Sequence, residues 1–121
     1  MEEEERLLRR AYEAFNARDI DGALGLMHPD VDWPNGLWGG RERGHAAVRE
    51  YWTRQFEVID SHVEPVGFSA DDEGRIVVDV HQVVRDLDGT VLSDGRVRHV
   101  YTMRDGLVER MDIQEPEGSH T

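Results

Sequence analysis

Apolar residues recur along this chain with two different spacings, and the change from one to the other divides it into a helical part and a stranded part. Leu7, Leu8, Ala11, Ala14 and Phe15 fall at i, i+1, i+4, i+7 and i+8, one stripe of a helix over residues 2–18 whose opening glutamates suit the positive end of the helix dipole. Asn16–Asp19 breaks the pattern, and Asp19 can cap a second, short helix in which Ile20, Ala23, Leu24 and Met27 repeat before Pro29. Val48, Tyr51, Trp52, Gln55, Phe56 and Ile59 form the clearest stripe and predict a third helix over 44–60, with Arg49, Glu50, Arg54 and Glu57 on its wet side.

Elsewhere the pattern alternates. Val31–Trp33 is a short strand, and residues 61–70 form a longer one in which Pro65 argues for an edge position or a bulge. After a turn at Asp71–Gly74, three β-type runs follow over 75–86, 90–104 and 107–114. They are joined by Asp88-Gly89 and Asp105-Gly106, dipeptides that favour hairpin turns. The polar tail Glu115–Thr121 is expected to fray. Helices followed by a meander imply an α+β domain over residues 1–121, with no internal repeat or linker. Strands of this length twist and curl, so the expected architecture is a curved mixed or antiparallel sheet with three helices on its concave face, enclosing a cone-shaped cavity.

Composition removes several kinds of chemistry. The net charge of −12, from 26 acidic and 14 basic residues, opposes partnership with nucleic acid or an anionic membrane. There are no cysteines, so disulfides, thiolate metal sites and a thiol nucleophile are excluded. The opening MEEEERLLRR lacks the apolar stretch of a signal peptide, and no window approaches the roughly twenty apolar residues of a membrane span. The expected location is cytoplasmic. Gly39-Gly40 is not followed by a Lys-Ser/Thr pair, so there is no phosphate loop, and no serine stands in a nucleophile context.

What chemistry remains lies where polar residues interrupt the strand pattern. Asp79, His81, Val83 and Arg85 share one face by period two, and Val78, Val80, Gln82 and Val84 share the other; neither is cleanly apolar, so either can look inward. In the next strand Val97, His99, Tyr101 and Met103 form the likelier cavity face by apolar weight. In the last, Met111 and Ile113 are expected to face inward with Leu107 and Glu109. A register that puts Asp79 and His81 beside His99 would line an apolar pocket with two imidazoles and a carboxylate. Such a set suits proton abstraction beside a carbonyl, aldol cyclisation or dehydration, and needs no cofactor.

Three other readings stay open: structural histidines, an Asp79/His81 face turned to solvent, and a two-histidine, one-carboxylate metal set, for which no dedicated ligand spacing speaks. The pocket wall is expected from Phe15, Trp33, Trp38, Tyr51, Val83, Tyr101, Met111 and Ile113. Trp38, in the glycine-rich loop 34–40, would serve as lid or wall, or else cap the core. His28, His45, His62 and His120 are given no specific role.

The segments LLRRAYEAFNARDIDGALGLMHPDVDW, GGRERGHAAVREYW and VYTMRDGLVERMDI resemble the SnoaL-like branch of the nuclear-transport-factor-2-like superfamily. Its relatives include ketosteroid isomerase, polyketide cyclases, scytalone dehydratase and limonene epoxide hydrolase. The resemblance implies the cone fold, a small hydrophobic ligand and a homodimer paired through the sheet. It implies either a cofactor-independent isomerase, cyclase or dehydratase, or a non-catalytic binding or scaffold domain. Carried over by alignment, the general-base aspartate of the ketosteroid isomerases falls on Trp33, with Asp32 one residue earlier and so on the opposite face. Their oxyanion-hole tyrosine falls on Ala11, beside Tyr12, and their second oxyanion-hole acid falls on His99. Steroid isomerisation by that route is therefore not expected, nor is epoxide hydrolysis, whose arginine and two aspartates have no counterpart. His99 is the position expected to carry chemistry.

Overall fold

The structure, a computed structural model, describes residues 2–114; the expected fraying of Glu115–Thr121, and His120 with it, lies outside the described residues. The elements run α1 (Glu2–Asn16), α2 (Ile20–Leu24), β1 (Met27–Pro34), β2 (Arg41–Arg43), α3 (Gly44–Val58), β3 (Asp60–Ala70), β4 (Ile76–Arg85), β5 (Val91–Arg104) and β6 (Leu107–Gln114). The strands form one six-stranded sheet in the order β2-β1-β6-β5-β4-β3, antiparallel except for the parallel pair β1/β6. The sheet curves without closing, and the helices complete an α+β cone. No helix among the described residues is long and apolar enough to cross a membrane.

Local chemistry accounts for the punctuation. Asp19 caps α2 by accepting a hydrogen bond from the Gly22 amide at 2.9 Å. Two β-turns repeat one construction. The Asp71 carboxylate accepts from the amides of Glu73 and Arg75, and the Asp86 carboxylate accepts from those of Asp88 and Thr90. In each, a glycine three residues after the aspartate, Gly74 or Gly89, takes the positive φ the turn requires. The Asp105-Gly106 hairpin has positive φ at both residues, the signature of a primed turn.

Pro65 meets both of its expectations, since β3 is an edge strand and its pairing with β4 slips between Pro65 and Gly67. In β6 the pairing with β5 passes from Thr102↔Arg110 to Met103↔Val108, so Glu109 bulges and the alternation resets. Val108 and Met111 are therefore the buried residues, in place of the expected run through Leu107 and Glu109. The three-residue β2 is too short to leave a pattern in the sequence.

The core joins Leu8 and Tyr12 of α1 and Val48, Tyr51 and Trp52 of α3 to the inner face of the sheet, including Val63, Ile76, Val78 and Val80. That packing decides the orientation of β4. Ile76, Val78 and Val80 are buried in that core, which turns Asp79, His81, Val83 and Arg85 to the outer face.

The outer face is held by charge. Asp32, only 7 % exposed, accepts from Arg41 Nε and from Arg110 Nη1 (3.0 Å), with Arg43 at 3.5 Å. Arg41 also reaches Asp112 and the Met111 carbonyl, while Arg110 grips Asp112 with two hydrogen bonds. These arginines stitch β2 to β1 and β6, which explains how so short a strand stays in place. Burial alone would raise the Asp32 pKa, but the hydrogen bond and charge of Arg41, with the charges of Arg110 and Arg43, lower it below the ordinary carboxylate value.

Asp32→Asn should cost about 2 kcal/mol at pH 7, measured by urea unfolding, because it leaves three guanidinium groups without their shared anion. A depressed folded pKa stabilises above the unfolded value of about 3.9 and is lost as pH falls through the folded value, so the gap to wild type should close in acid.

Candidate active site

The cone encloses a cavity of about 300 Å³ between the inner sheet face, α1 and α3. Aromatic rings, among them Phe15, Trp33, Tyr51 and Trp52, are prominent in its wall. Trp33 meets Trp52 edge to face at 5.4 Å between centroids, and Phe15 meets Trp52 at 5.6 Å. Among the described residues, no aspartate, glutamate or arginine lines it.

Part of this wall carries a buried hydrogen-bond chain. His99 and Tyr101 lie two residues apart on the inner face of β5, and Tyr12 projects from the turn of α1 that follows buried Leu8. The Tyr101 hydroxyl donates to the Tyr12 oxygen at 2.8 Å, and the Tyr12 hydroxyl lies 2.8 Å from His99 Nδ1. The Tyr12 and His99 rings stack, 5.9 Å apart and 11° from parallel.

Burial fixes the protonation of the chain. Desolvation lowers the His99 pKa from 6.5 to about 4, so the imidazole is neutral at physiological pH. Desolvation also raises both tyrosine pKa values, for Tyr12 with help from Tyr101, so both keep their protons. With Tyr101 donating to Tyr12, the Tyr12 proton goes to His99 Nδ1. The imidazole hydrogen then sits on Nε2, and His99 offers the cavity a neutral N–H donor.

The residues expected from sequence divide into two groups. Phe15, Trp33, Tyr51, Tyr101, Met111, Ile113 and His99 line the cavity. Asp79, His81 and Val83 do not, because they occupy the outer face of β4. Asp79 accepts from Arg98 Nε at 2.9 Å, and His81 Nε2 lies 2.6 Å from Asp94 Oδ1 at an exposed site. The expected cluster of Asp79, His81 and His99 therefore does not form, either for proton transfer or for a metal. Val84 and Gln82 stand at the cavity in place of Val83.

Trp38 is also outside the cavity. It is 56 % exposed and lies edge-on to Tyr51, while Leu37 supplies the wall. The loop is tied down rather than free to act as a lid: buried Asn35 accepts from the Leu37 and Trp38 amides and donates to Glu42, and Gly36 donates to the Tyr51 hydroxyl. Sequence reasoning missed Tyr12, Trp52, Gln55, Ser61 and Gln82 as cavity residues. Two signals pointed to them: Trp52 and Gln55 belong to the α3 stripe, and Tyr12 lies four residues beyond Leu8.

Three helices on a curved, unclosed mixed sheet are the fold of the nuclear-transport-factor-2-like class. Within it, the chain belongs to the SnoaL-like domain family, whose model matches residues 8–111. Among solved structures it is similar to TerC co-crystallised with polyporic acid: 32% identity, TM-score 0.80, covering 94% of this chain and 92% of that one. It is similar also to an NTF2-like protein of unknown function from Burkholderia pseudomallei (27%, TM-score 0.81, 96% and 92%). A putative polyketide cyclase from Xanthomonas campestris is similar as well (26%, TM-score 0.77, 93% and 89%). No curated protein matches the sequence.

The lowered His99 pKa has a thermodynamic consequence. Above pH 6.5 folded and unfolded chains both hold His99 neutral; between 6.5 and about 4 only the unfolded chain binds the proton, so stability falls as pH falls through that window. Wild type should lose about 3 kcal/mol there relative to His99→Phe, read as a narrowing gap between the two urea-unfolding free energies.

Proposed function

We propose that the cavity binds an uncharged, ring-bearing small molecule by a carbonyl oxygen and turns it over without a cofactor, by cyclisation, isomerisation or dehydration. The carrying observation is the buried His99 imidazole at the cavity wall, with Nδ1 2.8 Å from the Tyr12 hydroxyl and Nε2 left for a ligand, in a lining that has no charged side chain among the described residues. Small-molecule binding or cyclase-type function is what the SnoaL-like family and the cyclase-like neighbours support. The similar TerC was co-crystallised with a small molecule, polyporic acid, which supports small-molecule binding as the coarser reading.

The chemistry must suit the residues present. All 14 basic residues are arginine and there is no cysteine, so neither a lysine imine nor a thiol adduct is available. With His99 Nδ1 engaged by Tyr12 and no carboxylate in the wall among the described residues, removal of an unactivated α-proton has no base there. Aldol cyclisation of a substrate that enolises by itself needs none. The enol carbon attacks a second carbonyl carbon, the carbonyl π pair becomes an alkoxide, and the enol proton ends on that oxygen. A hydrogen bond from His99 Nε2–H to the developing alkoxide stabilises charge where water is excluded. Tyr12 and Tyr101 are positioning residues that hold the tautomer.

The same lack of a base favours a second reading, a binding domain without turnover. Pairing of two copies through the sheet is proposed with either reading, and sedimentation velocity tests it: a monomer at micromolar concentration would remove it.

His99→Phe should lower kcat on an enolisable aromatic poly-β-ketone at least 100-fold, as loss of a single oxyanion donor does. Tyr12→Phe should lower it about tenfold by freeing the tautomer. Turnover unchanged in His99→Phe would refute the catalytic reading, and ligand retention without turnover in wild type would establish the second.

A further inference from the structure

The strongest unexplained group in the molecule is the hydroxyl of Ser61. Ser61 lies on the inner face of β3 with Val63, is 1 % exposed and lines the cavity. Its oxygen is the one buried side-chain polar atom among the described residues that has no hydrogen-bond partner. A buried hydroxyl left unpaired destabilises the fold, so a partner that arrives from elsewhere is the natural account of it.

Its surroundings are polar in a consistent way. Gln55 of α3 is buried and Gln82 of β4 half-buried, both line the cavity, and neither amide makes a side-chain hydrogen bond within the described residues. In the sheet Ser61 stands opposite Val84, whereas His99 stands opposite Val78, six residues away along β4. Gln82 lies on the Ser61 side of that interval, opposite Val63. The polar lining of the cavity therefore falls at two separate places along β4.

We infer that Ser61, Gln55 and Gln82 form a second ligand subsite that takes a hydroxyl group at the end of the ligand remote from His99. This rests on the carbonyl reading of His99 and narrows its substrate class. A hydroxyl and two amides both donate and accept, as a neutral alcohol or phenol requires. Among the described residues no charged side chain lines the wall, which disfavours a carboxylate or amine there. The ligand is then an elongated, uncharged aromatic compound with a carbonyl at one end and a hydroxyl at the other.

Flavanone and 4′-hydroxyflavanone, which share a carbonyl and differ in one remote hydroxyl, test the subsite through quenching of the cavity-lining Trp33 and Trp52. Wild type should bind the hydroxylated probe about fivefold more tightly, the worth of one net hydrogen bond. That ratio should fall to about one in the Ser61→Ala/Gln55→Leu double variant. Equal affinities in wild type, or a preference that survives in the double variant, would overturn the subsite. Ser61→Ala alone should raise Tm by roughly 3 °C, because it removes an unpaired buried hydroxyl; a fall of that size would show a structural role and also overturn it. His99→Phe separates the two readings. Flavanone affinity unmoved by it, with the hydroxyl preference intact, would sink the carbonyl pole and leave this subsite standing.

Discussion

The hydrogen bonds from Tyr101 to Tyr12 and from Tyr12 to His99 hold together the parts of this protein that matter for its chemistry. They join α1 to the inner face of β5 in a region where water cannot substitute for a lost partner. Each of the three groups would cost about 1–3 kcal/mol if left buried and unpaired, so the chain forms as a unit or the helix docks elsewhere. Once formed, it sets which imidazole nitrogen carries hydrogen. The chemical face of the cavity at β5 follows from the same two contacts, while Leu8 in the core and the paired hydrogen bonds of Asn16 with Val63 also seat α1.

Around this chain the sheet separates its two faces by kind. The inner face is apolar and aromatic, with its few polar groups neutral at physiological pH. The outer face carries the Asp32, Arg41, Arg110 and Asp112 lattice and the Arg98–Asp79 and His81–Asp94 pairs. The acidity of the chain is thus a property of its surface and says nothing of its ligand. A neutral interior is what allows a neutral histidine to act as a donor, since any carboxylate beside it would have raised its pKa.

Much of this was legible in the sequence. The stripe through Val48, Tyr51 and Trp52 gave α3, the Asp105-Gly106 dipeptide gave a primed turn, and Pro65 marked an edge with a bulge. The inner face of β5, and with it the placement of His99, followed from the apolar weight of Val97 and Tyr101. The one-residue offset of Asp32 from Trp33 correctly separated an outward carboxylate from an inward ring.

What was hidden depended on partners distant in sequence. Both faces of β4 mix valines with polar residues, and what marks the outer one is that Asp79 meets Arg98 and His81 meets Asp94 on β5. Tyr12 was passed over because the alignment settled on Ala11, although both line the cavity and only the tyrosine can join the chain. Glu109 resets β6 through a bulge that no local pattern announces. Trp38 looked like a lid because it stands among glycines, but Asn35 fixes that loop.

The most direct test is the ¹⁵N NMR spectrum of the His99 ring at pH 7, read through its long-range couplings to the ring carbon-bound protons. A neutral Nε2–H tautomer requires Nδ1 to resonate as an unprotonated nitrogen and Nε2 as a protonated one, with that pattern lost in Tyr12→Phe. Two protonated nitrogens, or hydrogen on Nδ1 in the wild type, would contradict the hydrogen-bond chain and the neutral donor built on it.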